Sequence, residues 1–292
     1  MIHLFALLSL LLCGVCYTGF QNSSHFHNTS NRRSLLLLVF GGALLLRLLL
    51  AYTTHGFSND IACFAAWADR IFTLGPGQFY SAEMFTDYPP GFMYVLYLIG
   101  ALRSLLQIPY YSDLHILLLK LPAILCDIAC GFLLYREAVK RLHFSDLQGI
   151  FAASAYLFQP AVILNSSCWG QVDSVYTLMI ILMCLFLMKG NLLPAYAVYG
   201  LGVLLKPQML IFTPVLLTGI WDHVFLQDFS WRKFFYNLCG GLVVICGMLL
   251  LCAPFGLTAA ISQYTSTLGS YEYAAINAYN FWGLLGMNWV DQ

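Results

Sequence analysis

The chain has 292 residues, of which 60% are hydrophobic and only 9% charged. Its mean hydropathy is +0.77. Soluble domains carry about 25% charged residues, so soluble enzymes, secreted disulfide scaffolds and disordered tails are excluded. Thirteen Lys and Arg balance thirteen Asp and Glu, which leaves no net basic field to attract nucleic acid. What remains is an all-α, polytopic transmembrane helix bundle.

A spanning helix needs about 20 mostly apolar residues. The sequence predicts about eight such segments: 1–20, 34–54, 89–107, 114–135, 148–166, 173–189, 193–221 and 234–254. A further apolar-aromatic stretch covers 274–290, and the abrupt end at Trp289-Val290-Asp291-Gln292 suggests a truncated chain. The runs are continuous rather than alternating, which favours helices over a barrel. Segment 1–20 lacks a basic start and a small-residue cleavage site, so it reads as an extra helix rather than a signal peptide. It and the polar linker that follows make an N-terminal region, 1–33, ahead of a transmembrane domain over 34–292. The linker holds two N-glycosylation patterns, Asn22-Ser23-Ser24 and Asn28-Thr29-Ser30.

Loop charges set orientation. Arg32 and Arg33 place the start of segment 34–54 in the cytoplasm and the long loop 55–88 outside. The basic loop Arg136 to His143 also reads as cytoplasmic. Two clean spans between these loops would put the second outside. One of segments 89–107 or 114–135 is therefore not a simple crossing.

The first external loop carries Asp60, Asp69, Arg70, Glu83 and Asp87 among many aromatics. Residues 60–72 predict an amphipathic helix, with Ile61, Phe64, Ala65, Ala68 and Phe72 near one face. Asp60, after Ser58-Asn59, suits an N-cap or a base that takes a proton from a hydroxyl. Tyr88-Pro89-Pro90-Gly91 marks a helix start. Arg47, Lys120 and Asp127 lie inside spans, where ionised groups need a partner or a cavity. Lys120 and Asp127 are two turns apart on one face. Gln171 and Asp173 stand before the span 173–189 as candidate caps. Lys206-Pro207-Gln208 interrupts the run 193–221. That run measures about 43 Å as a helix, too short for two spans. Lys206 beside the broken turn suits a phosphate, or it snorkels. The cysteines fall mostly inside spans and form no zinc or redox spacing.

Taken in order, Asn59-Asp60-Ile61 with Phe64 and Trp67-Ala68, Asp87-Tyr88-Pro89-Pro90-Gly91, Trp169-Gly170-Gln171-Val172-Asp173-Ser174 and Lys206-Pro207-Gln208 resemble the polytopic GT-C glycosyltransferases. The nearest branch is the bacterial membrane proteins related to GPI mannosyltransferase II, and more distantly the protein-O-mannosyltransferase-like enzymes. The resemblance runs from about residue 35 to the end. It implies an inverting transferase, with mannose the default sugar. The sugar moves from a polyprenyl- or dolichyl-phosphate donor to an acceptor hydroxyl on the extracytoplasmic side, with Asp60 as base. Asp87, Tyr88, Trp169, Gln171, Asp173, Lys206 and Gln208 would bind substrate. No cofactor is implied beyond the lipid-linked sugar donor, and no Asp-x-Asp pair points to a metal. The membrane would be a bacterial plasma membrane, with the endoplasmic reticulum as alternative. A transporter using Lys120, Asp127 and Lys206 as a pathway is the rival reading.

Overall fold

The computed structural model describes residues 32–80, 85–227, 229–269, 273, 275 and 281–290. The helix expected over 1–20, both glycosylation patterns and Glu83 lie outside the described residues. Twelve helices are described: α1 (Arg32–Thr53), α2 (Ser58–Leu74), α3 (Pro90–Leu105), α4 (Asp113–Lys140), α5 (Asp146–Leu157), α6 (Pro160–Ile163), α7 (Asp173–Met188), α8 (Leu192–Leu205), α9 (Thr213–Trp221), α10 (Trp231–Cys252), α11 (Leu257–Gly269) and α12 (Phe281–Leu284). Short π segments, Leu164–Trp169 and Asp222–Leu226, extend α6 and α9. Among the described residues the only bridge pairing is Ala275 with Asn288, so the all-α expectation stands.

Four of the helical runs are long and apolar enough to cross a bilayer, and α5 with α6 makes a fifth if that pair, bent by 51°, counts as one. Pro160 causes the bend. It holds Gln159 extended ahead of it and restarts the helix. In α10 only 6% of the most apolar stretch is buried. Exposed Phe235, Leu242, Val243 and Leu250 there face lipid rather than water.

Two polar contacts fix how α1 and α4 run. Near one end, Lys120 Nζ donates to Ala51 O and Thr54 O. Near the other, Arg32 pairs with Asp146, at 3.2 Å, just beyond α4. The two helices are therefore antiparallel. Between them, in the fully buried middle, Arg47 Nε meets Asp127 Oδ2 at 3.0 Å. Asp127 also accepts from Ser166 Oγ, at 2.6 Å, and from Ser174 Oγ. The intraspan charges read from the sequence thus find their partners on other helices.

His55 and Asp113 stand 3.6 Å apart, so the chain leaves α1 and returns to α4 at the same point. The intervening α2 and α3 lie across that end of the bundle. Their ends meet other residues of the same end: Gly77 approaches Pro254 O, and Gly91 packs on Leu204. The amphipathic helix expected over 60–72 forms as α2, with Ile61, Phe64, Ala65 and Ala68 buried against α3. Fully burying one such Phe contributes ~1.5–3 kcal/mol. Segment 89–107 is therefore the one that does not cross, and the two basic loops share one end of the bundle. The orientation conflict disappears.

The run 193–221 is not one continuous helix. α8 ends at Leu205, and Lys206 is extended, with φ −153°. Pro207 opens a 3-10 turn, Pro207–Phe212, and α9 then heads back. His223 contacts Gly190 at the end where α8 began. The reversal fits because α8 is short, 14 residues or about 21 Å, and the π segment extends α9.

Two outcomes test this arrangement. Asp127→Leu strands the buried Arg47 and should cost about 3–5 kcal/mol. Arg47→Leu combined with Asp127→Leu should recover most of that loss in thermal unfolding. In sealed vesicles, cysteines at Gln78 and Gln107 should react with an impermeant thiol reagent from the same side, and a cysteine at His143 from the other. Opposite sides for Gln78 and Gln107 would make α3 a crossing.

Candidate functional site

The end of the bundle covered by α2 and α3 holds a cavity of about 600 Å³. Its floor is the junction between the π segment and α7. Gly170, at φ 90°, caps the π segment in the left-handed region. A Cβ there would stand 2.5 Å from Ile61 Cδ1. Gly56, at φ 79°, makes the facing turn, and a Cβ would stand 2.7 Å from both Ile61 Cγ1 and Trp169 O. These two glycines let the backbones touch: Phe57 N–H donates to Trp169 O at 2.9 Å. The Phe57 and Trp169 rings then lie 5.0 Å apart.

Asp60 does not cap α2. Phe57 holds the N-cap position with no side-chain cap, and Asp60 lies within the first turn. Its Oδ2 accepts from Trp169 Nε1 at 3.0 Å and from Gln171 Nε2 at 2.5 Å. Oδ1 takes neither donor. Gln171 is thereby spent on Asp60, and its Oε1 faces Tyr88 Oη at 3.4 Å. Gln171 and Asp173 do not cap α7 either, whose N-cap is Val172 with no side-chain bond. Asp173 instead accepts from Asn165 Nδ2 at 2.9 Å and forms an ion pair with Lys206. The Lys206 ammonium also stands over the rings of Tyr88, at 5.7 Å, and Tyr176, at 5.6 Å. Its charge is met inside the protein by Asp173 and these two rings.

All eight residues singled out from the sequence line this one cavity: Asp60, Asp87, Tyr88, Trp169, Gln171, Asp173, Lys206 and Gln208. Sequence reasoning missed Cys63, Phe64, Trp67, Phe85, Asn165 and Tyr176 as lining residues. Asn165 opens the polar junction and Tyr176 follows Asp173 by one turn, so both signals were in the sequence. Lys120 and Asp127 do not reach the cavity; they tie helices together beneath it. A smaller cleft of about 340 Å³ shares Asp87, Tyr88, Lys206 and Gln208 and reaches Leu210 and Ile211. Ile211 is exposed. The polar cavity therefore opens at one side onto exposed apolar side chains.

The cavity is acidic. Three carboxylates, Asp60, Asp87 and Asp173, face one ammonium, Lys206. Burial, and then the carboxylates of Asp87 and Asp60, push the Cys63 thiol up from its ordinary value. Among the described residues no group of three or more His, Cys, Asp or Glu is placed to hold a metal ion. The local field has a measurable consequence. Cys63 should alkylate slowly at neutral pH and faster as pH rises past the usual thiol range. Asp87→Asn removes one negative charge, so it should move that rate profile to lower pH. An unchanged profile would mean that Asp87 does not act on the cavity.

No curated protein matches the chain. The family model of the GPI transamidase subunit PIG-U matches residues 35–275. This finding overturns the glycosyltransferase reading, mannose and polyprenyl-phosphate sugar included, because a GPI transamidase attaches proteins to GPI and is not a mannosyltransferase. It gives the transporter reading no support either. The scaffold part of the resemblance survives, since the family is related to GT-C-like polytopic proteins. The order of the four motifs therefore tracks a shared architecture rather than a shared reaction. The match covers most of the chain, and the protein belongs to the PIG-U family of GPI transamidase subunits, multi-pass membrane proteins that form part of an enzyme complex.

Proposed function

We propose that this chain serves GPI transamidase as a binding subunit, holding the polar glycan part of glycosylphosphatidylinositol in the acidic cavity. The carrying observation is the make-up of that cavity. Three carboxylates and the amides of Asn165, Gln171 and Gln208 stand among Trp67, Phe85, Tyr88 and Trp169. Carboxylates and amides hydrogen-bond hydroxyls, while aromatic faces cover the apolar side of a sugar ring. A volume of about 600 Å³ falls in the range of small-ligand sites. The adjoining cleft at Leu210 and Ile211 gives the lipid part a way back to the bilayer. Cys63 is no candidate nucleophile for amide exchange, since its surroundings favour the protonated thiol.

On this reading the membrane is that of the endoplasmic reticulum. The basic end, with Arg32, Arg33, Arg136, Lys140 and Arg141, stays in the cytosol. The cavity then opens on the lumenal side, where the GPI glycan is presented. Residues 34–292 act as one transmembrane unit.

Asp60→Asn and Trp169→Ala in the full chain, expressed with its partner subunits, test the proposal. Losing a hydrogen bond to a charged group costs about 1.5–3 kcal/mol. Capture of GPI and surface display of a GPI-anchored reporter should therefore fall about tenfold or more, while the subunits still co-purify. Parent-level GPI capture by both variants would remove the cavity from substrate binding.

A further inference from the structure

At the end of the bundle opposite the cavity, α4 and α7 finish side by side. Arg136, Lys140, Arg141 and Lys189 surround one cleft of about 470 Å³, with Glu137 and Met188 completing its wall. Glu137 is taken up by Arg136, Nη2 to Oε1 at 2.6 Å. Arg141 Nη2 donates to Met188 O at 3.3 Å, which latches the two helix ends together. Lys140, Arg141 and Lys189 remain around the opening with no carboxylate in the cleft beyond Glu137. The cleft is thus net positive, the reverse of the cavity at the other end.

Met188 and Lys189 also line a second cleft of about 720 Å³ between α7 and α9. Its wall runs back from Lys189 along Leu187, Cys184, Val215, Thr218 and Gly219. Asp222 and Gln227 at its polar end bond each other at 2.7 Å. Val215 is seven residues from Asp222, about 10 Å along a helix, so the groove reaches from the polar end toward the apolar middle of the bundle. Gly219 lets α9 pack closely on Leu187 of α7 at the groove's base, since a Cβ there would stand 2.9 Å from Leu187 Cδ2.

We propose that the basic cleft and this groove together hold one anionic glycerophospholipid of the surrounding leaflet. Its phosphate and headgroup would sit among Lys140, Arg141 and Lys189, and one acyl chain would lie along Leu187 and Val215. Charges that only orient a membrane protein need to stand near helix ends. They need not converge on one concavity, nor border an apolar groove of acyl-chain width. Convergence and adjacency are what a diacyl anion requires, and basic pockets between helices on the cytoplasmic side suit such headgroups. The site is remote from the acidic cavity and independent of what that cavity binds.

The test uses the full chain in its complex, purified in neutral detergent and titrated with phosphatidylserine or phosphatidylcholine while native mass spectrometry counts retained lipid. Phosphatidylserine should be retained and phosphatidylcholine displaced. Each cation near an anionic lipid is worth about fivefold. Lys140→Gln with Lys189→Gln should therefore weaken phosphatidylserine by about 25-fold, and Lys140→Arg with Lys189→Arg should hold it near the parent value. Thr218→Trp, which fills the groove and leaves every charge in place, should also release the lipid. Phosphatidylserine retention unchanged in the Lys→Gln pair would overturn the proposal, as would equal retention of phosphatidylcholine by the parent. Soluble glycerophosphoserine competing as well as the diacyl lipid would make the cleft a seat for a free anion and overturn it too.

Discussion

The ammonium of Lys120 is the contact on which the cavity end of the bundle depends. It donates to Thr54 O at 2.7 Å, Ser167 O at 2.9 Å, Thr54 Oγ1 at 3.1 Å and Ala51 O at 3.3 Å. Those carbonyls belong to two helix ends, the close of α1 and the π segment, which intrahelical bonding cannot fully satisfy. In an apolar phase an unsatisfied carbonyl costs several kcal/mol. One buried cation therefore allows two helices to stop at the same depth. Above the point where they stop, the Gly56 and Gly170 turns meet over Ile61, and Trp169 and Gln171 are brought to Asp60. Remove the cation and the carbonyls of Ala51, Thr54 and Ser167 lose the donor that joins the two helix ends beneath the cavity.

This explains why so much of the site was legible. The cavity is assembled where helices break, and in an apolar sequence each break is written in polar residues. Asp60, Asp87-Tyr88, Trp169 to Asp173 and Lys206 to Gln208 are that punctuation, so listing the interruptions located the cavity wall. Lining residues supplied from inside helices, such as Cys63 and Trp67, were not marked as cavity wall because they continue the apolar pattern of α2. The architecture was legible to the same degree. Periodicity found α2, and the parity of the basic loops required a non-crossing segment. Hydropathy did not say which one, because an apolar helix lying across an aromatic surface buries the same side chains as one in lipid.

Pairing was the least legible layer. Lys206 was read against a phosphate or the interface because its partner, Asp173, lies 33 positions away, and α7 and α8 must first fold back on each other to bring them together. The proposed caps failed for a related reason. Asp60, Gln171 and Asp173 have cap-like neighbours in sequence, but each is drawn to a stronger tertiary partner: an indole N–H, a carboxylate or an ammonium. For Gln171 the bond to the Asp60 carboxylate is charge-assisted where a cap would be neutral, and such bonds are roughly twice as strong; Asp173 gains an ammonium where a cap would offer only a backbone N–H. The same gap separates scaffold from reaction. Motif order reports how helices break and meet, and related scaffolds share that. Which bond is exchanged depends on what the cavity faces.

The distribution of charge completes the argument. Inside the spans, charges cancel or are absorbed: Arg47 by Asp127, Lys120 by carbonyl oxygens. At the ends they cancel only in part, as in the Arg32–Asp146, Arg136–Glu137 and Lys206–Asp173 pairs. Arg32, Arg33, Arg136, Lys140, Arg141, Lys189, Arg232 and Lys233 gather at one end, while Asp60, Asp87 and Asp173 outnumber Lys206 in the cavity at the other. A chain with no formal net charge is thereby polarised along the bundle axis. A basic end and an acidic cavity at opposite ends of the bundle are two consequences of one partition. The bilayer enforces it, because a charge left midway without a partner would cost more than any orientation could return.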